Sequence, residues 1–394
     1  MHSKNNKYVI FSFFAGAGFL DLGFEHNDFN IVFVNELKDS FLEAYKFSRK
    51  NLNISTPKYG YSNHDINEYL NGKKFNVLKE IIENLRKEGK LIGFIGGPPC
   101  PDFSIAGKNK GIDGDNGKLT QTYFEIIAKL KPDFFLFENV KGLLKTKKHR
   151  LFYDQMRASI QEGGYRITDR LINSIYYGAP QERERIILIG FLNNSIKRKY
   201  NHDFGTIPNS VFDWSSYFKY SIFDINNSNW PIQDSFSIDS DLEMPNNIIS
   251  ELTVEHWFKI NKVNKHPNSE RYFIPRSGLR KFLIINEGDV TRKSYKRLHR
   301  WRYSPTVAYG NNEVHLHPYK PRRLSLSEAL SLQSLPLDFS LPNYLTLTDS
   351  FKIVGNGVPY LAARSISKSI KEFLNYLYDE ANSGQFGKFH QSVA

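Results

Sequence analysis

The sequence predicts an α/β fold in which a parallel sheet is covered by helices on both faces, followed by a smaller irregular domain. Short runs rich in β-branched and aromatic residues alternate with segments whose apolar residues recur at helical spacing. The strand candidates are apolar on both faces, as strands between two helical layers are. After about Asn194 the alternation ends, and an irregular Asn- and Ser-rich stretch with scattered aromatic and Pro residues begins.

The predicted elements follow one another in a regular order. The strand candidates are residues 8–14, 31–34, 91–95, 134–137 and 186–191. The helical segments are residues 41–52, 77–90, 121–130, 325–335 and 358–378, and a further helix opens at Leu20. Ligands of such sheets bind at the carboxyl ends of the strands, so functional residues are expected there.

Composition narrows the class of function. The 394 residues are 40% hydrophobic, enough for one large or two ordinary domains without a metal or disulfide staple. The single Cys excludes a disulfide framework and a Cys-rich zinc module, and it fits a reducing compartment. A formal net charge of +12 favours a polyanionic partner and argues against a generic metabolic enzyme.

Residues 8–20 superficially resemble a signal peptide, because lysines precede an apolar run that contains Ala15-Gly16-Ala17. We reject this interpretation because the run continues into the helix that opens at Leu20, so cleavage would destroy a strand-loop-helix unit. No apolar run approaches the roughly 18 residues that a membrane span needs. A cytoplasmic protein without membrane contact is therefore expected.

The irregular second domain divides by charge. Its first half, to about Glu255, is acidic, and the stretch from Arg271 to Tyr303 is basic with interleaved aromatic residues. Because nearly all the charge of the basic stretch has one sign, we expect it to bind the phosphate backbone of a nucleic acid rather than form a solvated face. The cations expected to do so are Arg292, Lys293, Lys296 and Arg297.

The first strand and the second strand end in residues typical of a nucleoside site. Phe14 and the Gly16-Ala17-Gly18 turn lie between the first strand and a helix N-terminus, and Glu36 follows about 20 residues later, where it can accept hydrogen bonds from ribose hydroxyls. Asp21 stands where a dinucleotide fingerprint has its third Gly, which disfavours a pyrophosphate. The alternative is a tight turn beside a solvated Glu.

Two later strands end in residues suited to catalysis. The only Cys, Cys100, leaves the sheet on a Pro-bounded loop, as a nucleophile should, and a Gly-rich basic segment at 106–114 follows as a candidate lid. Glu138 ends the next strand, where apolar neighbours should raise its pKa and let it donate a proton near neutral pH. Arg183 and Arg185, at period-two spacing, should point the same way, although a surface strand edge is the alternative.

Taken together and in this order, the motifs resemble the DNA (cytosine-5)-methyltransferase family over almost the whole chain. They are Phe14-Ala-Gly-Ala-Gly18, Glu36, Pro98-Pro99-Cys100, Glu138-Asn139-Val140, Gln181-Glu-Arg-Glu-Arg185, Arg323-Leu324-Ser325 with Glu328, and Gly355-Asn356-Gly357-Val358-Pro359. The resemblance implies a Rossmann-like S-adenosylmethionine-dependent methyltransferase fold. It also implies a catalytic domain at 1–193, a target-recognition domain at 194–340, and a C-terminal segment at 341–394 that returns to the catalytic domain.

The resemblance assigns roles residue by residue. Cys100 matches the nucleophile, Glu138 the residue that engages the cytosine ring nitrogen, and Arg183 and Arg185 the arginines that hold a flipped base. Ser104 matches a position that faces the DNA backbone, and Lys108 lies in the candidate lid. The residues matching the site of S-adenosylmethionine, whose product is S-adenosylhomocysteine, are Phe14, Gly16, Gly18, Glu36, Asp65, Ile66, Pro98 and Asn356.

The chain departs from the family pattern at three places. Pro101 replaces a common Gln, the 116–119 region lacks a common Arg, and Gly357 replaces a common Ala. The first two put contacts between the lid and DNA in doubt, and none removes a catalytic group.

Three competing functions have less support in the sequence. The family's RNA branch carries a Cys-Phe-Thr tripeptide that a chain with one Cys lacks, a silent DNA-binding relative would not need the full catalytic set, and an oxidoreductase would need the missing Gly. A metal site at His315-Leu316-His317 lacks a third ligand at suitable spacing. We therefore expect a metal-free, monomeric bacterial restriction-modification enzyme that acts on double-stranded DNA at the nucleoid, with a cognate endonuclease as a possible partner.

Overall fold

The computed structural model describes residues 6–99, 115–194, 196, 205–275, 279–307 and 313–378. Seven strands form one sheet in the order β3-β2-β1-β4-β5-β7-β6. The strands are β1 (Tyr8–Phe13), β2 (Asn30–Asn35), β3 (Tyr61–Ser62), β4 (Leu91–Gly96), β5 (Phe134–Val140), β6 (Tyr165–Asn173) and β7 (Glu184–Leu192). This architecture confirms the predicted α/β fold, and all five predicted strands are present.

The sheet is mixed rather than wholly parallel, which corrects one expectation. Strands β3, β2, β1, β4 and β5 run parallel, whereas β7 pairs antiparallel with both β5 and β6. Strands β6 and β7 are joined by a short connection that contains only the 3-10 helix Ser174–Tyr177 and a few residues after it. So short a connection cannot make a parallel crossover, so β7 must reverse direction.

Helices cover both faces of the sheet. Those up to β7 are α1 (Phe19–His26), α2 (Asp39–Asn51), α3 (Gly72–Lys87), α4 (Asp115–Leu130), α5 (Gly142–Lys145) and α6 (Lys147–Glu162). The later ones are α7 (Ile222–Asn227), α8 (Val254–Ile260), α9 (Leu279–Ile284), α10 (Leu326–Leu332), α11 (Leu347–Asn356) and α12 (Tyr360–Tyr378). No helix in these ranges is long and apolar enough to cross a membrane.

Alternate residues of each strand belong to two separate cores. Ile10 of β1 packs with α1, α2 and α12, whereas the next residue, Phe11, packs with α3, α4 and α6. Successive side chains of a strand point to opposite faces, so a strand apolar at every position is buried between two helical layers.

The irregular region packs directly against the sheet domain. Phe212 and Trp214 belong to the same core as β7 and α12. A third core joins Phe19 of α1 and Phe41 of α2 to residues from α8, α10 and α11. Helix α10 starts at a capping box in which Ser325 accepts from the Glu328 amide and the Glu328 carboxylate accepts from the Ser325 amide. The packing of α8, α10 and α11 on α1 and α2 holds the later half of the chain close to the carboxyl end of β1.

The β5–β7 pairing depends on a glycine. A Cβ added at Gly190 of β7 would lie 2.1 Å from the Phe135 ring of β5. We therefore expect Gly190→Ala to lower the free energy of unfolding by about 1–3 kcal/mol, since the core has no room for the methyl group. Urea denaturation would measure the change. Gly205→Ala is the matched control, because a Cβ there meets nothing within 4 Å. Equal unfolding midpoints for the two variants would contradict this account of the pairing.

Candidate active site

A cavity of about 500 Å³ lies at the carboxyl ends of β1, β2, β4 and β5. This is the edge at which parallel sheets bind ligands. The predicted site residues that line it are Phe14, Gly16, Glu36, Asp65, Ile66, Pro98, Glu138, Arg183, Arg185 and Asn356. The fold thus brings together residues that are up to 342 positions apart, from Phe14 to Asn356.

The loop after β1 is held by the end of β2. The Gly16 amide donates to Glu36 Oε2 at 2.9 Å, and the Lys38 amide donates to Glu36 Oε1 at 2.9 Å. Burial raises the pKa of Glu36, and the two amide hydrogen bonds oppose that rise. Gly16 adopts φ 58°, and a Cβ built on it would meet nothing within 4 Å. The loop therefore presents open space directly beside a carboxylate that is held at both oxygens.

Gly18 is not among the residues that line the cavity. It is the left-handed N-cap of α1, with φ 77°. A Cβ there would lie 2.5 Å from both the Tyr45 ring and the Arg49 guanidinium. This glycine is thus required for the packing of α2 against the loop.

Another part of the cavity wall comes from the loop after β3. Asn35 donates to the His64 carbonyl at 2.8 Å and so ties this loop to β2. Asp65 caps the 3-10 helix Ile66–Tyr69 by accepting from the Asn67 amide at 2.8 Å, and the Ile66 side chain is buried. An apolar side chain next to a carboxylate suits a flat, polar-edged ring.

Glu138 is buried at the end of β5 and forms an ion pair with β7. Arg185 Nε lies 3.0 Å from Glu138 Oε1. Burial raises the pKa of Glu138, while Arg185 and Arg183 act in the opposite direction. The predicted rise of this pKa is confirmed. A Cβ at Gly97 would lie 2.7 Å from Glu138 Oε2, so the chain entering Pro98 can pass this close only as glycine.

The two arginines have different partners although both line the cavity. Arg185 pairs with Glu138, whereas buried Arg183 donates to the Gly355 carbonyl at 2.7 Å. Gly355 lies next to Asn356 at the end of α11. Arg183 therefore connects the C-terminal part of the cavity to the sheet.

Three predicted site residues, Cys100, Ser104 and Lys108, lie outside the described residues. Pro98 and Pro99, which come directly before Cys100, line the cavity. Asp21, a buried carboxyl, also lines the cavity and was not predicted as a site residue. The available signal was a single acidic residue inside an otherwise apolar run.

Arg297 is not available to bind a nucleic acid, which corrects its assignment. Its side chain is fully buried and donates to four backbone carbonyls, those of Phe282, Ile285, His317 and Lys320. Burial lowers the pKa of Arg297 to about 10. It holds loops together rather than facing solvent.

The three other cations predicted to contact DNA from the basic stretch are accessible to solvent. Arg292 and Lys293 are exposed, and Lys296 is half-buried. Arg292 also pairs with Asp289.

His315 and His317 are buried, and burial lowers the pKa of each to about 3. His317 lies 3.4 Å from Glu328, a carboxylate that is already paired with Arg322.

Comparison with known proteins relates the chain to one family. The family model for C-5 cytosine-specific DNA methylases matches residues 8–372. The type II methyltransferase M.NmeDI of Neisseria meningitidis serogroup C is 50% identical over 383 residues, 97% of this chain and 88% of the relative. The type II methyltransferase M.FnuDI of Fusobacterium nucleatum is 30% identical, over 93% of this chain and 94% of the relative.

Solved structures share the fold. A prophage-encoded DNA modification methyltransferase from E. coli superposes with a TM-score of 0.63 at 23% identity, covering 93% of this chain and 99% of that one. A Spodoptera frugiperda DNMT2 variant gives a TM-score of 0.54 at 16% identity, covering 93% and 99%.

The Glu138–Arg185 pair allows a direct electrostatic test. Arg185→Gln should raise the pKa of Glu138 further, because one of the two arginines that oppose the effect of burial is then removed. Carboxyl ¹³C NMR titration would measure it. Lys141→Gln is the control, because Lys141 pairs with Glu184 instead. A Glu138 pKa that is the same in all three proteins would show that the ion pair does not govern this carboxyl.

Proposed function

The chain belongs to the C-5 cytosine-specific DNA methylase family, and we propose that the cavity described above is where it methylates carbon 5 of a cytosine within a specific short site. The protein is a DNA (cytosine-5)-methyltransferase of the restriction-modification type. The observation that carries the site proposal is the convergence of Glu36, Glu138 and Pro98-Pro99 on one cavity, since the next residue in the chain is its only Cys.

Members of this family use S-adenosylmethionine, and the cavity fits that cofactor. The open space over Gly16 lies beside Glu36, whose oxygens can each accept a further hydrogen bond from the two ribose hydroxyls. We assign the adenine to Asp65 and Ile66 and the remaining contacts to Phe14, Pro98 and Asn356. When bound, S-adenosylmethionine supplies an electrophilic methyl group on its sulfonium and becomes S-adenosylhomocysteine. The proposed mechanism involves no metal.

Cytosine carbon 5 is too weak a nucleophile to attack a sulfonium methyl group unaided. We propose that the Cys100 thiolate forms a bond to carbon 6 while Glu138 donates a proton or hydrogen bond to nitrogen 3, so that the electron pair of the ring double bond becomes available at carbon 5. After carbon 5 is methylated, a base removes its proton and the Cys100–carbon 6 bond breaks, which restores the aromatic ring and the thiolate.

The environment of Glu138 supports its assigned role. Burial raises its pKa, which favours the protonated form that can donate to nitrogen 3, while Arg185 keeps the ionised form accessible for the return step. We assign Arg183 and Arg185 to holding the base. Carbon 6 cannot be approached at a suitable angle inside a duplex, so the cytosine must be flipped into the cavity.

We further propose a division of labour along the chain. Residues 1–193 and 341–394 carry the catalytic and cofactor site, and residues 194–340 recognise the target. Ser104 and Lys108 would contact the DNA backbone from the loop after Cys100, and the exposed cations Arg292, Lys293 and Lys296 would do so from the recognition region. The protein would act as a cytoplasmic, nucleoid-associated monomer, with a cognate endonuclease cutting the same site.

The nucleophile assignment is tested in cells. Bisulfite sequencing of plasmid DNA should show 5-methylcytosine at one short site when the wild-type chain is expressed, and none with Cys100→Ser, because a hydroxyl is far less readily ionised than a thiol. Purified Cys100→Ser should still be stabilised against heat by S-adenosylmethionine, which shows that it is folded. Methylation by this folded variant at the wild-type level would contradict a mechanism in which Cys100 forms a covalent bond to the base.

The recognition surface is tested by the salt dependence of DNA binding. Replacing Arg292, Lys293 and Lys296 together by Gln should flatten the slope of log affinity against log salt by about 0.9 for each DNA phosphate that the variant no longer neutralises. Arg297 is retained because it is buried.

A triple variant with the same charge change controls for net charge. Lys73, Lys79 and Lys87 are exposed on α3, which packs on the sheet face opposite to α1 and α2, and their replacement by Gln should leave the slope unchanged. Equal slopes in both triple variants would show that residues 292–296 form a solvated face.

A further inference from the structure

A small group of charged side chains is buried beside the cavity, between α1, α2 and β1. Asp21 lines the cavity yet is only 1% exposed. Ser12 of β1 donates to its Oδ1 at 2.9 Å, and the Tyr45 hydroxyl of α2 donates to its Oδ2 at 2.9 Å. The carboxyl group is therefore held in one orientation by neutral donors, and within the described part of the chain it makes no direct ion pair.

The nearest cation is already engaged by other groups. Arg49 Nε lies 2.9 Å from Glu25 Oε2, and its terminal nitrogens donate to the carbonyls of Gly18 at 2.6 Å and Ala17 at 3.4 Å. One guanidinium charge thus faces two carboxylates. The group formed by Asp21, Glu25 and Arg49 carries a net charge of one negative unit when Asp21 is ionised and none when it is protonated.

The net charge of this group bears on ligand binding because the proposed ligand is itself charged. The inference therefore rests on the proposed function. S-adenosylmethionine carries a sulfonium, an ammonium and a carboxylate, a net of one positive charge. S-adenosylhomocysteine has a neutral thioether in place of the sulfonium and is otherwise the same molecule. We propose that Asp21 is a specificity-determining residue that favours the methyl donor, which has a net positive charge, over its product, whose net charge is zero. A charge acting through a water-poor interior is weakly screened, so direct contact is not needed.

The protonation behaviour of Asp21 is consistent with this role. Burial raises its pKa to about 6; Arg49 opposes the rise, Glu25 adds to it, and the hydrogen bonds from Ser12 and Tyr45 oppose it. Those four residues are the groups that act on it from β1, α1 and α2. Helix α12, which also packs on α1, brings the Ser367 hydroxyl to the Gly23 carbonyl and Lys371 to Asp28. A bound cation favours the ionised carboxylate. Affinity for the donor should therefore fall as pH drops through about 6.

Glu36 also titrates in this cavity, and its pKa is raised as well. Its proposed hydrogen-bond partner, the ribose, is identical in donor and product, so its protonation should weaken both ligands. The part of the pH dependence that disappears in Asp21→Asn is therefore the part due to Asp21.

Isothermal titration calorimetry with both ligands is the test. In Asp21→Asn, which keeps the shape and loses the charge, affinity for S-adenosylmethionine at pH 7.5 should fall about tenfold while affinity for S-adenosylhomocysteine changes less than about twofold. Glu36→Gln, the control, should weaken both ligands because both lose the proposed ribose contacts. In the wild type the ratio of the donor's affinity to the product's affinity should decrease from pH 7.5 to pH 5, and in Asp21→Asn this decrease should be smaller.

The outcomes separate the inference from the function on which it rests. If the wild-type protein binds neither ligand, the proposed cofactor site is wrong. If it binds both, and Asp21→Asn leaves their ratio unchanged, Asp21 is only a packing residue. If Asp21→Asn fails to fold, Tyr45→Phe is used in its place. Removal of the Tyr45 hydroxyl raises the pKa of Asp21, so the pH at which affinity for S-adenosylmethionine falls should move upward. The pH dependence of S-adenosylhomocysteine binding should stay as in the wild type. An unmoved midpoint would overturn the proposal.

Discussion

The antiparallel pairing of β7 with β5 is the constraint on which the cavity depends. It places Arg185 opposite Val140, two residues along from Glu138, so that the guanidinium reaches back 3.0 Å from the carboxylate. The residue before the strand, Arg183, then meets the carbonyl of Gly355 at the end of α11. One strand direction therefore sets both the charge balance of Glu138 and the closure of the cavity by the C-terminal segment.

Charge burial is the second organising feature of this region. Four charged side chains here are nearly inaccessible to water: Glu138, Asp21, Arg49 and Arg183. Each is held by an ion pair or hydrogen bond to another group of the protein. Burying such groups costs free energy that partners only partly return. Charged groups that partners already hold in place need little reorganisation when charge develops on a ligand, which is the usual advantage of preorganised electrostatics in catalysis.

The basic region shows that charge in a sequence can serve two purposes. Arg297 and Arg300 are buried scaffolding: the first is surrounded by backbone carbonyls and stacks 3.7 Å from the Phe236 ring, and the second pairs with Glu287. Their neighbours Arg292 and Lys293 are exposed. A loop-rich domain with few regular hydrogen-bond ladders uses the several donors of arginine to satisfy its carbonyls.

The sequence by itself determined the strands that are apolar throughout, the helices α1 to α4 between them, and ten of the residues that line the cavity. Local periodicity was sufficient to locate the strands, because a strand buried between two helical layers is apolar at nearly every position. The order of the motifs was sufficient to identify the site residues. The sequence did not reveal the two-residue β3 or the strand β6, whose residues Arg166, Asp169 and Arg170 interrupt the apolar pattern. Only the tertiary structure decided the direction of β7, the burial of Arg297 and the position of Asp21 beside the cavity. Each of these depends on contacts between distant segments, and a pattern read within one segment carries no information about which partner a side chain will meet.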